Sequence, residues 1–242
     1  MRTSIDSAAG FSAGPATLGT ESSSWWDRNR MAFLCEQLRG ALPGPNLDVG
    51  CGRGTIASAL AQPGVLSVAC DIHAYPEWAA PGPVRFVVAS ADRLPFRAGA
   101  FGNASALDVL EHFADDQHVA EELRRIVAPS GKVVVTVPAF QQLWSEHDEA
   151  VGHFRRYDVA TLTAALAAAG LRIQRRTYFF AWLALPGLLL RSRRRSIGDG
   201  SASAAGGLIG RVADVLGRVE RRWLRRRRLP VGTSLFAIAS SD

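Results

Sequence analysis

LDVGCGRG, the stretch from Leu47 to Gly54, determines how the rest of the chain folds. An apolar run followed by glycines at alternate positions is typical of a strand that turns sharply into a helix. The glycines let the backbone turn tightly and let a ligand lie directly against it. Asp48 precedes the first glycine by two residues, and its negative charge favours a cationic ligand over a pyrophosphate.

The composition indicates a globular protein built around a single α/β domain. The chain has 242 residues, 48% of them hydrophobic, with a mean hydropathy of +0.05. We expect a flexible leader over residues 1–24, rich in Ser, Ala and Gly, and one domain over residues 25–240. The three cysteines match neither a metal-ligand spacing nor a disulfide framework, and the start of the chain lacks the pattern of a signal peptide. A cytoplasmic location is therefore expected.

Positive charge is concentrated late in the chain. Residues 172–228 contain fifteen arginines and three acids, a net charge of +12, whereas the whole chain carries +6 and the remainder therefore −6. The domain body is acidic and the late segment is strongly basic.

A second acid follows the glycine turn at the spacing of a nucleoside-binding site. Asp71 lies about 20 residues beyond the turn and directly after the second predicted strand. A carboxylate in that place can accept hydrogen bonds from both ribose hydroxyls of an adenosine. Because Asp71 occurs together with Asp48 at this spacing, ribose binding is favoured over the role of an ordinary loop aspartate.

Three motifs together resemble those of the class I S-adenosylmethionine-dependent methyltransferases of the type 11-like kind. The motifs are the D-x-G-x-G-x-G turn, ASADRLPF from Ala89 to Phe96, and DVLEHF from Asp108 to Phe113. The pattern HD-x-x-x-GH-x-RRY from His147 to Tyr157 resembles a bacterial subgroup of them that is associated with small molecules, lipids and secondary metabolism. The resemblance implies a Rossmann-like α/β sheet of seven strands in the order 3-2-1-4-5-7-6. It also implies S-adenosylmethionine as cofactor and S-adenosylhomocysteine as product. The cofactor-binding residues expected from the motifs and their flanks are Asp48, Gly50, Cys51, Gly52, Asp71, Ile72, Asp92, Arg93, Leu107, Asp108 and His112.

The resemblance implies methyl transfer to an oxygen, nitrogen or carbon atom of a small-molecule or lipid-like metabolite. Two alternatives stay open. One is a fold relative that uses the same cofactor for another reaction, and the other is a non-catalytic cofactor-binding module that docks on a membrane or a partner.

The acceptor is expected near the loop PAFQQLWSEHDEAVGHFRRYD, from Pro138 to Asp158, which is too long and too polar for a simple connection. His147 and His153 have the pKa range of a general base, and Arg155 and Arg156 suit an anionic substrate. Tyr157 is a further predicted substrate contact. A helix is predicted over Trp25–Leu42, and its Trp25 and Trp26 are the last two predicted contacts. Internal hydrogen bonding of the loop and plain packing of the tryptophans are the alternatives. His147, Asp148 and His153 do not match a zinc signature, so no metal is predicted.

An insertion over residues 180–230 separates the last two predicted strands. It contains an apolar run, the arginine cluster 191–195 and a basic amphipathic helix predicted over Leu208–Arg228. Contact with the inner face of a membrane or a lipid-linked substrate is one interpretation. Packing on the domain itself or in a homodimer is another, and nucleic acid is the least favoured partner.

Overall fold

A computed structural model of the chain describes residues 24–38, 44–184 and 207–241. Seven strands form one sheet in the order β3-β2-β1-β4-β5-β7-β6, which confirms the predicted fold class and strand order. The strands are β1 Asn46–Val49, β2 Ser67–Asp71, β3 Val84–Val88, β4 Phe101–Leu107, β5 Val127–Pro138, β6 Arg172–Phe179 and β7 Ser234–Ser240. The α-helices of the described residues are α1 Trp25–Leu38, α2 Thr55–Leu60, α3 Asp116–Ile126, α4 Glu146–Ala150, α5 Val159–Ala168 and α6 Leu208–Leu224.

Strand direction places one end of five strands along a single edge. β1 pairs in parallel with β2 and β4, β2 with β3, and β4 with β5. β7 runs antiparallel between β5 and β6. The ends of β1 to β5 therefore meet at one border, called the carboxyl edge below, where open α/β sheets bind their ligands.

Helices cover both faces of the sheet. On one face, buried residues of α3 and α5 such as Leu123 and Leu162 pack on strand residues such as Leu47 and Val135. On the other face α1 contributes Phe33, which stacks on Phe179 at a ring distance of 4.4 Å and meets Phe236 edge-on. Because both faces are covered, consecutive residues of the central strands are buried, among them the polar Asp48 and Ser105.

β4 ends at Leu107, because Asp108 has a φ of 60° that breaks the extended backbone, and a 3-10 turn follows over Leu110–His112. The end of the late helix differs from the sequence prediction. The late helix ends at Leu224, four residues before the predicted Arg228. The leader up to residue 23, the expected end of the first helix after Leu38, and the arginine cluster 191–195 lie outside the described residues.

Helix α6 of the insertion packs on α1 through its small residues. Gly210, Ala213 and Gly217 are buried, and a Cβ added at Gly217 would lie only 1.9 Å from Asn29 Oδ1. Asp214 strengthens the contact by accepting hydrogen bonds from Arg28 at 2.7 Å and from Asn29 at 3.0 Å. The helical insertion predicted between the sixth and seventh strands is therefore present and lies against the first helix. None of the described helices has the length and apolar character needed to cross a membrane.

Candidate cofactor and acceptor site

The glycine turn leaves open space beside its middle glycine. A Cβ at Gly50 would meet Val109 Cγ2 at 2.5 Å, and one at Gly54 would meet Phe86 Cε1 at 2.4 Å. Gly52 has a φ of 53°, which favours glycine, yet no atom of the described residues lies within 4 Å of the place where its Cβ would be. The outer glycines therefore let the turn pack on the sheet, and the middle one leaves backbone accessible to a ligand.

Asp71 lies at the end of β2 with its carboxylate against this turn. Its Oδ2 accepts a hydrogen bond from Gly52 N at 2.9 Å and its Oδ1 accepts one from His73 N at 3.1 Å. Ile72, the next residue, exposes 42% of its surface beside it. A carboxylate next to an exposed apolar side chain offers hydrogen-bond acceptors to a ribose and a contact surface to a base.

Asp48 acts from within the sheet rather than from its surface. The side chain is buried in β1, and Ser105 Oγ donates to its Oδ1 at 2.7 Å. Burial raises the pKa of Asp48 to about 6, although the hydrogen bond from Ser105 and the charge of Arg30 oppose the rise. Burial also raises the pKa of Cys51 far above its usual range, so this thiol stays protonated in the turn.

Asp108 forms the centre of the carboxyl edge, directly after the buried Leu107. Thr136 Oγ1 donates to its Oδ1 at 2.8 Å, and Arg30 Nη2 donates to its Oδ2 at 2.6 Å. Arg30 belongs to α1, so the first helix places a guanidinium at the carboxyl edge. Arg30 was not predicted from the sequence, because its partner lies 78 residues away and no local motif marks it.

The segment after β3 is fixed by α3, which positions Asp92 and Arg93 at the same edge. Leu94 N donates to Glu122 Oε2 at 2.9 Å, and Arg125 donates to Leu94 O at 3.0 Å. Asp92 itself is half-buried and Arg93 is exposed. The turn is thus rigid, while the carboxylate of Asp92 remains accessible.

Asp148 organises the loop that follows β5. It is fully buried, and it accepts hydrogen bonds from Arg156 through both Nε and Nη2 at 2.8 Å and from Ser145 N at 2.8 Å. His153 Nδ1 lies 2.8 Å from its Oδ1. Burial alone would raise the pKa of Asp148, but the hydrogen bonds from His153 and Arg156 outweigh burial and hold that pKa well below its usual value. An ionised Asp148 therefore orients His153.

Three further groups converge beside the end of β4. His153 Nε2 lies 4.0 Å from Glu111 Oε1, and the rings of His112 and His153 meet edge-on at 4.6 Å. Glu111 is 0% exposed, and burial together with the charge of Asp108 raises its pKa well above the usual range. Burial lowers the pKa of His112 to about 4, so its imidazole is neutral at pH 7. The two histidines were predicted from the sequence as site residues, and Glu111 was not.

The predicted catalytic histidines differ in position. His153 is largely buried, whereas His147 is exposed on α4 with its ring 6.4 Å from that of His153. The structure thus brings His153, and not His147, into the group with Glu111 and His112.

The predicted substrate residues make contacts within the protein. Arg156 binds Asp148 as described, Tyr157 is buried and its hydroxyl donates to Asp116 at 2.6 Å, and Arg155 pairs with Asp116 at 3.1 Å. Trp25 is buried against Trp182 at a ring distance of 5.3 Å, and Trp26 stacks on Phe180 at 4.0 Å. These contacts position the loop and α1, and direct contact with substrate stays a prediction for all five residues.

Comparison with known proteins supports the interpretation of this edge. Residues 47–135 match a family model described as a methyltransferase domain. The chain contains a methyltransferase domain. A similar curated protein, an uncharacterized methyltransferase of Mycobacterium sp. (strain JLS), is 31% identical over 113 residues, which are 45% of this chain and 44% of that relative. The match thus spans less than half of the relative's length.

Solved structures share the class I methyltransferase fold over most of the domain. A geranyl diphosphate methyltransferase in complex with S-adenosylmethionine has a TM-score of 0.60 at 17% identity, covering 88% of this chain and 84% of that chain. The [4+2]-cyclase SpnF has a TM-score of 0.54 at 17% identity, covering 88% of this chain and 80% of that chain. The fold of the methyltransferase domain therefore occurs with more than one reaction.

S-adenosylmethionine is the cofactor of this domain class, and the carboxyl edge fits it. The open backbone at Gly52 gives room for the nucleoside, and Asp71 faces that room with its carboxylate. Asp108 presents a half-exposed carboxylate between the ends of β4 and β5, where it suits a cationic amino-acid group.

Proposed function

We propose that the protein transfers a methyl group from S-adenosylmethionine to a small-molecule or lipid-like acceptor. The arrangement at Gly52 carries the proposal: an open glycine lies between two closed ones, with the carboxylate of Asp71 hydrogen-bonded to its N–H. Such an edge binds an adenosine whose attached group extends toward Asp108. Oxygen, nitrogen and carbon acceptors all fit this proposal.

The protein's part in such a reaction is positioning and exclusion of water. A sulfonium loses its positive charge when the methyl group leaves, so a dry site and an aligned acceptor supply much of the rate. Asp108 is fixed between Arg30 and Thr136, and the Asp148 network fixes His153 nearby. Of the two predicted bases, His153 and not His147 is placed for a part in the reaction, because Asp148 holds its Nδ1 and directs Nε2 into the group with Glu111 and His112.

Product formation tests the proposal. Purified protein is incubated with S-adenosylmethionine and a cell extract, and S-adenosylhomocysteine and methylated acceptors are measured by mass spectrometry. We expect both products with the unmodified protein and with Glu121→Gln, an exposed acid on the outer side of α3. Asp71→Ala should reduce both.

The same assay separates the alternative functions. A converted extract component without S-adenosylhomocysteine would indicate a different reaction on this fold. Cofactor binding without any conversion would indicate a binding module and would contradict the proposal.

We also propose that α6 brings the protein to an anionic membrane surface. Seven large apolar side chains of this helix point away from the domain, with Val219 exposed at 62% and Trp223 at 57%. The full set is Leu208, Ile209, Val212, Val215, Leu216, Val219 and Trp223, called the apolar stripe below. A helix of this length is roughly 25 Å long.

Charge supports a lipid surface over a neutral partner. The exposed Arg211, Arg218 and Arg222 follow one flank of the apolar stripe at helical spacing, and Arg225 to Arg228 extend the positive charge beyond it. Arginines beside an exposed apolar stripe suit anionic headgroups, with about 1 kcal/mol gained per charge near the surface. The acceptor would then be reached at that surface, at the inner face of the cell membrane.

Flotation with vesicles tests the membrane proposal. We expect the unmodified protein to float with vesicles that contain anionic lipid and to be released by salt, and Val215→Asp/Val219→Asp to remain unbound. Leu66→Asp, which changes an exposed apolar residue elsewhere, should float like the unmodified protein. If the double variant instead converts a dimer to a monomer in light scattering and no form floats, the stripe is a homodimer contact.

A further inference from the structure

The group formed by Glu111, His112 and His153 has the composition of a metal site. One ligand atom from each residue, a carboxylate oxygen or an imidazole nitrogen, lies within 4.8 Å of the other two. Two of the residues are adjacent on the 3-10 turn after β4, and the third comes from the loop after β5. We propose that these three side chains bind one divalent transition-metal ion of the zinc type.

Glu111 provides the first reason for expecting a cation. Its side chain is 0% exposed, and neither carboxylate oxygen has a hydrogen-bond partner among the described residues. A buried carboxylate without partners is costly to ionise unless a cation lies against it. The charges of Arg30 and Arg156 act on Glu111, but both arginines already donate hydrogen bonds to other carboxylates, Asp108 and Asp148.

The second reason is the orientation of His153. Metal-binding histidines usually donate one ring N–H to a carboxylate, and the other nitrogen then points at the ion. Asp148 accepts from His153 Nδ1 at 2.8 Å and is itself held by Arg156 and Ser145, so in the neutral imidazole Nε2 carries the lone pair, 4.0 Å from Glu111 Oε1. This fixed tautomer is the arrangement that a metal ion requires.

Backbone contacts hold the two ligand-bearing segments together without the ion. Phe154 N donates to Glu111 O at 2.7 Å, which ties the residue after His153 to the 3-10 turn. A tetrahedral zinc ion with bonds of about 2.0–2.2 Å needs its ligands about 3.4 Å apart. The observed 4.0 Å between His153 Nε2 and Glu111 Oε1 is therefore closed by small side-chain rotations rather than by a rearrangement of the loop.

The donor set narrows the choice of metal. Two imidazole nitrogens and one carboxylate suit zinc and its neighbours in the first transition row, whereas magnesium and calcium prefer oxygen donors. Three protein ligands leave one position for an outside ligand. If the proposed function holds, that ligand is an oxygen atom of the methyl acceptor, and the ion lowers the pKa of the bound hydroxyl.

This role excludes the use of His153 as a general base, because Nε2 cannot bind an ion and take a proton at once. The need for Glu111 distinguishes a general-base role of His153 from a metal-binding role. A base role requires Asp148 and His153 but not Glu111, whereas metal binding requires all three ligands.

The experiment is a titration of metal-stripped full-length protein with Co²⁺, followed by visible absorption, and with Zn²⁺ in competition. We expect one equivalent of Co²⁺ per chain with the spectrum of a four- or five-coordinate site. Glu111→Gln, which keeps the shape of the side chain, should weaken binding by about 100-fold or more. Asp148→Asn should weaken it by about 10–100-fold through loss of orientation.

His147→Gln and His118→Gln are the matched controls, since both remove an exposed histidine outside the group. Both should bind Co²⁺ like the unmodified protein. Absence of stoichiometric binding, or binding that survives Glu111→Gln, would overturn the proposal, and so would binding lost in either control. Calorimetry with S-adenosylmethionine on the same preparations separates this failure from a failure of the proposed function, because the metal titration needs neither cofactor nor turnover.

Discussion

At the scale of single residues, the domain places acidic groups where their charge is costly to folding and useful to binding. Asp48 is buried in the central sheet and has one hydroxyl, that of Ser105, as its hydrogen-bond donor. Asp108 adopts a left-handed backbone conformation that is uncommon for a non-glycine residue, and two donors fix its carboxylate. Strain and buried charge of this kind concentrate at functional sites.

The raised pKa of Asp48 predicts a pH-dependent loss of stability. Because the folded-state pKa of about 6 exceeds the unfolded value of 3.8, the native state keeps its proton while the unfolded chain loses it. Stability therefore falls as pH rises from about 4 to about 6, by roughly 3 kcal/mol. Asp48→Asn should abolish this contribution, since Asn can still accept the hydrogen bond from Ser105.

Urea unfolding of the cofactor-free protein at pH 4.5 and pH 7 checks this expectation. Asp48→Asn should be more stable than the unmodified protein at pH 7, and the difference should shrink at the lower pH. Glu121→Gln serves as the control with an exposed acid. An equal stability difference at both pH values would show that the ionisation of Asp48 is not its source.

At the scale of elements, the contact between α1 and α6 depends on the absence of side chains. Asn29 donates to Trp25 O at 2.8 Å and to Asp214 at 3.0 Å, so it cannot move away from Gly217 without losing these bonds. Gly217→Leu should therefore destabilise the protein by about 1–3 kcal/mol through overpacking. Thermal unfolding measures the loss.

Val212→Leu changes an exposed position of the same helix and is the control for that measurement. It should leave the midpoint of unfolding unchanged. If Gly217→Leu unfolds at the same temperature as the control, the close approach of α6 to α1 is not present in solution.

The elements also show what sequence patterns can and cannot predict. The glycine turn was predictable because the motifs from Leu47 to Phe113 have local signals: glycine spacing and acids at strand ends. The strand order followed from the resemblance of these motifs to those of the class I methyltransferases. Which face of α6 packs on the domain was not predictable, because the apolar side of an amphipathic helix can be either buried or exposed to a partner. The absence of side chains at Gly210 and Gly217 lets that face of the helix pack closely on α1, and the apolar stripe therefore faces outward.

The acceptor side of the site was predicted only as a list of polar residues. The pattern from His147 to Tyr157 indicated a functional loop, but the pairing of Asp148 with Arg156 and His153 depends on the folding of that loop. Glu111 had no signal of its own, since a glutamate after a strand is ordinarily exposed. Its complete burial is a consequence of the loop closing over the turn after β4.

At the scale of the whole molecule, the seven-stranded sheet brings the predicted cofactor residues at the ends of β1, β2 and β4 to the carboxyl edge. Arg30 of α1 contacts Asp108 at this edge, and Asp148 holds His153 beside it. The insertion adds α6 on the far side of α1, where the apolar stripe is exposed. One domain thus combines the carboxyl edge, the polar loop after β5 and the exposed apolar stripe. The proposed methyl transfer and the proposed membrane contact rest on these three features.

Calorimetric titration of the full chain with S-adenosylmethionine tests the central claim most directly. We predict a single site that Asp71→Ala weakens by at least about tenfold, which corresponds to the roughly 1.4 kcal/mol expected for a lost charged hydrogen bond to the ribose. Glu121→Gln should bind like the unmodified protein. The absence of binding by the unmodified chain, or equal affinity in Asp71→Ala, would contradict the assignment of the cofactor to this edge.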